Sequence, residues 1–322
     1  MGTEAPLSPT IPVIDFSVLE MKPGTPTWDS VKSQVIKAME ECGCFKALCK
    51  KVPLELQKEI LHEMKELFEL PLEIKMQNVS KIPNGGYIGK SSITPLCESI
   101  GIDDPNSLEK VQTFTNAFWP QGKSSFSKAI HSFSNQISEL GERIRRMILE
   151  SLGMQKYLDE HMDSSISKIR IIKYEMAKEN EPKLALASHM DASIITILYQ
   201  NQVDGLEIQT KSGEWISVNL SPHNFFVLIG ESFHAWTNGR LHSPYHRVTV
   251  KGNDEERYTI GLFTIFKPGY TIKAPEELVD EQHPLLYRPF DILDVLQRHQ
   301  ALKNNQSQQN VFVPLKAYFG VV

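Results

Sequence analysis

Five residues of this chain have types and spacings that together make a chemical unit. His189 and Asp191 stand one residue apart in Ser188-His-Met-Asp-Ala-Ser193, directly before a run of strand-formers, Ile194 to Tyr199. Alternate side chains of a strand share a face, so the spacing predicts an imidazole beside a carboxylate, with Met190 turned away. A carboxylate buried beside an imidazole is costly without a partner, and a metal ion is one such partner. A second histidine, His246, opens another β-rich run, HRVTV. Two histidines and one carboxylate are the ligand set of the facial triad of non-haem Fe(II) oxygenases, which leaves coordination positions open. A bidentate 2-oxo acid can take two of them and dioxygen the third.

The remaining two residues are Arg257 and Thr259, at the head of RYTIGLF. Two apart on a strand, they share a face. An arginine fork binds a carboxylate through two parallel hydrogen bonds, and the threonine hydroxyl adds a third, so the pair suits the distal carboxylate of 2-oxoglutarate. Phe263 falls on the same face and is expected to point into the same cavity as a substrate contact. His242 lies four residues before His246, but Pro244 between them argues against an unbroken central strand, which favours His246 as the ligand. His234, in ESFHAW, reads as a packed histidine. GGYIGKSS, residues 85–92, imitates a phosphate-binding loop, yet Asn84 stands where that motif requires its first glycine.

These residues need strands to hold them, and the second half of the chain supplies strand patterns. SISKIRIIKYEM, SIITILYQ, GLEIQT, WISVNL, NFFVLIG, HRVTV and RYTIGLFTIF follow one another from residue 165, with turn signals such as SGE, NGR and KGND between them. Many short strands in sequence point to a sandwich, barrel or jelly roll. Ahead of them, IPVIDFSVL (11–19) reads as a short strand and 28–47 as an amphipathic helix. A second helix opens at Pro53 and stops before Pro71, 79–120 reads as irregular, and a long helix carries Phe126, Ile130, Phe133, Ile137, Leu140, Ile144 and Ile148 on one stripe. Gly153 suits its end. A last helix is expected over 289–303.

With 322 residues, 41% hydrophobic and 23% charged, the composition is that of a globular protein with a real core. A formal net charge of -5 leaves no basic footprint for nucleic acid. No apolar run is long enough to span a membrane, and the opening MGTEAPLSPTIP lacks the regions of a signal peptide. Cys42, Cys44, Cys49 and Cys97 read as reduced thiols, three of them within the first helix and its end. The expectation is a cytoplasmic monomer acting on a small molecule, with no nucleic-acid or membrane partner.

The segments IPVIDFSVL, HMDASIITILYQNQVDGLEI, GEWISVNLSPHNFFVLIGESFHAWTNGRLHSPYHRV and RYTIGLF resemble those of the plant 2-oxoglutarate/Fe(II)-dependent dioxygenases. The likeness covers nearly the whole chain, and EELVDEQHPLLYRPF resembles most the branch of glucosinolate side-chain oxygenases, auxin-oxidising enzymes and steroidal-alkaloid hydroxylases. The resemblance implies an α+β fold, a double-stranded β-helix (jelly-roll) core with an N-terminal helical region and a C-terminal helix. It divides the chain into an N-terminal region (1–120), a connecting long helix (121–164), a core (165–270) and a helical tail (271–322). It implies Fe(II) held by His189, Asp191 and His246, 2-oxoglutarate held by Arg257, Thr259 and Tyr174, and O2 as oxidant. Phe114 becomes a second substrate contact by alignment. Two departures stand out: Thr259 replaces the family's usual serine, and Ile172-Lys173-Tyr174-Glu175 replaces the usual Asn-Tyr-Tyr-Pro. The implied reaction is hydroxylation, or another oxidation, of a small plant specialised metabolite or hormone, with release of succinate and CO2. Alternatives are a 2-oxoglutarate-independent iron oxidase, a non-catalytic ligand-binding protein on the same fold, and a zinc hydrolase, which lacks an HExxH-type helix.

Overall fold

The computed structural model describes residues 10–18, 21–178, 183–252, 255–304 and 312–321. Most of the opening stretch, and Asn253-Asp254 of the KGND turn, lie outside the described residues.

A short strand, β1 (Val13–Asp15), leads into α1 (Pro26–Glu41), whose N-terminus is capped by Thr25 accepting from the Trp28 amide, with proline in the first turn. The helix predicted over 28–47 ends early. Gly43 takes φ +70°, and a Cβ there would stand 2.1 Å from the His242 carbonyl, so the chain turns sharply under a crossing backbone. Residues beyond it form β2 (Cys44–Leu48) instead of helix, and Cys44 and Cys49 belong to the strand and its exit. α2 (Leu54–Glu69) and the single turn α3 (Leu72–Lys75) follow. The stretch read as irregular contains β3 (Cys97–Asp103) and α4 (Leu108–Phe118). The long helix is α5 (Ser124–Ser151), closed by Gly153 at φ +71° and followed by α6 (Leu158–Asp163).

The strand-rich half runs β4 (Ser165–Tyr174), β5 (Lys183–His189), β6 (Ile195–Gln200), β7 (Leu206–Gln209), β8 (Trp215–Ser217), β9 (Asn224–Ile229), α7 (Glu231–Trp236), β10 (His246–Val250) and β11 (Arg257–Phe266). A small ladder, β12 (Thr271–Ile272) with β13 (Phe290–Asp291), precedes α8 (Ile292–Asn304) and α9 (Leu315–Phe319).

Two sheets result: a seven-stranded one ordered β1-β2-β9-β6-β11-β4-β3, and a four-stranded one ordered β5-β10-β7-β8. Strand alternation divides the large sheet's side chains between two cores. Ile169, Ile171, Ile260 and Leu262 pack outward with the helices, α5 foremost. Ile172, Tyr174, Leu198 and Phe226 point the other way, onto Ala185, Leu206, Ile208 and Val248 of the small sheet. The space between the sheets is the interior of a jelly roll, and the functional side chains open into it. Among the described residues no helix is long and apolar enough to cross a membrane.

Candidate metal and co-substrate site

Pairing of β5 with β10 sets His189 directly opposite His246, and the two rings lie 4.2 Å apart between centroids. SHMDAS therefore closes a strand, β5, that the sequence pattern did not reveal. His189 is its last residue and Asp191 sits in the turn leading to β6. The two side chains converge through that turn, not through strand alternation. Asp191 Oδ1 is 3.7 Å from His189 Nε2 and 3.6 Å from His246 Nε2, and the three donors form the cluster that can hold a metal ion among the described residues.

The surroundings fix which atoms face the centre. His189 Nδ1 donates to the Ala187 carbonyl at 2.8 Å, and His246 Nδ1 faces the Pro244 carbonyl at 3.4 Å. A proton on each Nδ1 leaves the Nε2 lone pairs for a metal. Thr196, inward-facing on β6, donates its hydroxyl to Asp191 Oδ2 at 2.6 Å and is itself bonded to Ser193. Oδ1 is thereby turned to the histidines. Donors about 2.1 Å from one ion at right angles stand about 3 Å apart, so the observed separations need only a small side-chain adjustment. The residues present fit a divalent transition metal.

The other end of the site is built on β11. Register sets Arg257 beside Tyr174 of β4, and Thr259 between Ile172 of β4 and Gln200 of β6. Arg257 is 2% exposed, and its Nη2 donates to Gln200 Oε1 at 2.5 Å. Its Nε and Nη1, and the Thr259 hydroxyl, are buried without any hydrogen-bond partner. Buried polar groups are nearly always paired, and no carboxylate forms an ion pair with Arg257 among the described residues. The Tyr174 ring lies 5.0 Å from the guanidinium carbon. Burial lowers the Arg257 pKa and raises that of the Tyr174 hydroxyl. A ligand carboxylate would answer all three unpartnered atoms.

Phe263 lies on the inward face and packs against the inter-sheet core, opposite Thr196 in register. Phe114 is not brought there. Its ring stacks on Phe118 at 4.4 Å and Phe126 at 5.7 Å, in the seam between α4 and α5 on the helical side of the large sheet. An aromatic at helical spacing found helical partners. His234 donates from Nδ1 to the Leu241 carbonyl at 2.6 Å and stays out of the metal cluster, as does His242. Sequence reasoning missed Gln200 and Thr196, although both follow from alternation along SIITILYQ. It also missed Phe312, whose ring comes within 6.4 Å of His189 and 5.9 Å of Tyr245. No local signal in the tail marks that residue. Glu231, at the start of α7, donates its amide to the Asp191 carbonyl, and its carboxylate accepts from the Leu315 amide, tying α9 to the site.

Comparison with known proteins agrees with this geometry. Residues 155–265 match the 2OG-Fe(II) oxygenase superfamily, and residues 11–122 match the N-terminal region of the non-haem dioxygenases in morphine synthesis. The chain is 48% identical over 292 residues, 89% of each sequence, to the probable 2-oxoglutarate-dependent dioxygenase AOP1.2 of Arabidopsis thaliana. It is 33% identical to the 2-oxoglutarate-dependent dioxygenase AOP3 of the same plant, covering 89% of this chain and 93% of that one. Among solved structures, the Arabidopsis dioxygenase for auxin oxidation in complex with 2-oxoglutarate superposes with a TM-score of 0.76 at 28% identity, over 85% of this chain and all of that one. The rice dioxygenase for auxin oxidation gives 0.78 at 26%, over 97% and 100%. Identity approaching one half over nearly nine-tenths of both sequences makes this chain a member of the 2OG-Fe(II) oxygenase superfamily, a 2-oxoglutarate-dependent Fe(II) dioxygenase.

Proposed function

We propose that His189, Asp191 and His246 hold the iron, that Arg257, Thr259 and Tyr174 hold the distal carboxylate of 2-oxoglutarate, and that the enzyme hydroxylates, or otherwise oxidises, a small plant metabolite or hormone. The observation that carries this reading is the cluster of unpartnered buried atoms, Arg257 Nε and Nη1 with Thr259 Oγ1. A buried cation with open donors calls for an anion, and a guanidinium fork matches a carboxylate bidentately. Gln200 holds one arm of the fork and the Tyr174 ring lies over it, so the fork is oriented before the ligand arrives. Thr196 keeps Asp191 aimed at the histidines. Apolar side chains between the sheets line the space beside the site.

Bound iron and 2-oxoglutarate supply the oxidising chemistry that couples formation of succinate and CO2 to oxidation of the substrate by O2. The hormone side of the substrate reading is supported by two solved relatives described as dioxygenases for auxin oxidation. The same proposal makes the protein a cytoplasmic monomer with no nucleic-acid or membrane partner, in keeping with its net charge of -5. Purified protein supplied with Fe(II) and O2 should consume O2 and release succinate only when 2-oxoglutarate is added. Equal O2 consumption without 2-oxoglutarate would overturn the reading in favour of a 2-oxoglutarate-independent oxidase.

A further inference from the structure

The turn that carries Asp191 is clasped by three consecutive residues at the start of α7. Gly230 donates its amide to the Ile194 carbonyl at 3.0 Å, Glu231 to the Asp191 carbonyl at 2.7 Å and Ser232 to the Ser193 carbonyl at 3.2 Å. The Ser232 hydroxyl adds a bond to the Ala192 carbonyl at 2.6 Å. A Cβ on Gly230 would stand 2.0 Å from the Ser193 carbonyl oxygen, so a side chain there would force the two segments apart.

The Glu231 side chain joins this clasp to the far end of the chain. Glu231 is 3% exposed, its Oε1 accepts from the Leu315 amide at 2.7 Å, and its Oε2 is buried without a hydrogen-bond partner. Burying a carboxyl group with a single partner is costly, and among the described residues that partner is the Leu315 amide.

Three residues before Leu315 stands Phe312. Its ring meets His189 at 6.4 Å and Tyr245, the neighbour of His246, at 5.9 Å, edge-on to both. The His189 side chain is 25% exposed, against 10% for Asp191 and 6% for His246. His189 is thus the open side of the cluster, and Phe312 is the tail residue beside it. The flanking backbone is held too: the Val313 carbonyl accepts from His299 Nε2 of α8 at 3.3 Å, and beyond α9 the Val321 amide donates to the Leu286 carbonyl at 2.9 Å.

We propose that Glu231 is a positioning residue: bonded to Asp191 through its backbone and to Leu315 through its side chain, it seats Phe312 beside the exposed edge of His189 and so controls access to the metal. Local opening of the tail is then the step that uncovers the site. The inference rests on the triad being the iron site.

The test follows iron loss. Protein loaded anaerobically with Fe(II) is mixed with excess ferrozine, a chelator, and the coloured complex is recorded against time. Glu231→Ala removes the acceptor and should release iron about 10-fold faster than wild type, the size of one lost hydrogen bond. Phe312→Ala keeps that bond, removes the ring and should also be roughly 10-fold faster. Glu231→Gln keeps an oxygen for the Leu315 amide and should stay within about 2-fold of wild type. Lys75→Met, which disturbs a buried ion pair with Glu98, controls for general instability and should release iron at the wild-type rate. An unchanged rate in either alanine variant overturns the proposal. So does Glu231→Gln or Lys75→Met releasing iron as fast as Glu231→Ala. Where Glu231→Ala does not fold, Phe312→Ala, altering a part-exposed side chain, decides alone. Failure of the underlying reading looks different: wild-type protein would take up no Fe(II), or His246→Ala would hold it equally well.

Discussion

Replacing Arg257 by methionine should have two opposite consequences, one with ligand and one without. In the ligand-free protein Arg257 is a guanidinium, 2% exposed, with two of its nitrogens unpartnered. Exchanging an uncompensated buried charge for an apolar side chain of similar length is neutral or stabilising, so the ligand-free Tm should not fall. With 2-oxoglutarate the sign reverses, because the ligand carboxylate loses its buried partner, a change worth roughly 2–5 kcal/mol. That is about 30-fold to several thousand-fold in affinity. Wild-type protein loaded with Mn(II), at 2-oxoglutarate one hundred times its Kd, gains about 2.7 kcal/mol. With an unfolding entropy of about 0.7 kcal/mol per kelvin for 322 residues, this is a Tm rise of about 4 °C. At the same ligand concentration Arg257→Met should show about 1 °C or less. Differential scanning fluorimetry reads both effects in one experiment. A full 4 °C rise in the variant would refute the assignment of Arg257 to the co-substrate. A large fall in the ligand-free Tm would refute the claim that its charge is uncompensated.

Other positions give separate checks. Thr196→Val removes the hydroxyl that holds Asp191 Oδ2 and should weaken Fe(II) binding about 10- to 100-fold in anaerobic titration, the usual scale for such supporting contacts; unchanged affinity would mean that Asp191 is oriented by something else. Lys75 and Glu98 form a buried ion pair at 2.9 Å, with Tyr87 donating to the same carboxylate oxygen. Lys75→Met should cost roughly 3–5 kcal/mol, about 4–7 °C in Tm on the entropy used above, and no loss would contradict the pairing. His161 is buried against Phe233, Trp236 and Phe266, and burial beside Arg145 holds its pKa well below 6.5. The unfolded chain takes up a proton below pH 6.5 and the folded one does not, so stability should fall by up to about 1.4 kcal/mol per pH unit as pH drops below that value. Urea midpoints at pH 7 and 5.5 should therefore converge in His161→Gln relative to wild type, and an identical pH slope in both would remove His161 as the cause.

Much of the site was legible because its signals are local. His189-x-Asp191, His246 and Arg257-x-Thr259 are short patterns, and the β11 register keeps the last pair on one face as alternation requires. The same logic reached the jelly roll, since seven β-rich runs in succession fall into two facing sheets. What stayed hidden depends on distant partners. KLALASH reads weakly as a strand and forms β5 by pairing with β10, so alternation places on a strand an Asp191 that occupies a turn. CESIGID, with a central glycine and two acids, became β3 by pairing with β4, where Gly101 makes room for Arg170. The apolar pattern runs on through Cys42 and so predicts too long a first helix, whereas the close approach of the His242 carbonyl explains why the chain turns at Gly43. Phe114 follows helical spacing, and the partners that claim it, Phe118 and Phe126, lie on α4 and α5.

The central claim is that one triad and one arginine hold iron and 2-oxoglutarate together. An anaerobic optical titration tests it most directly: apoprotein is loaded with one equivalent of Fe(II), and 2-oxoglutarate is then added. A weak visible charge-transfer band, from a 2-oxo acid chelating triad-bound Fe(II), should grow to one equivalent in the wild type and be absent in His246→Ala. Fully iron-loaded wild-type protein that shows no band, or a band that survives in His246→Ala, would contradict the account.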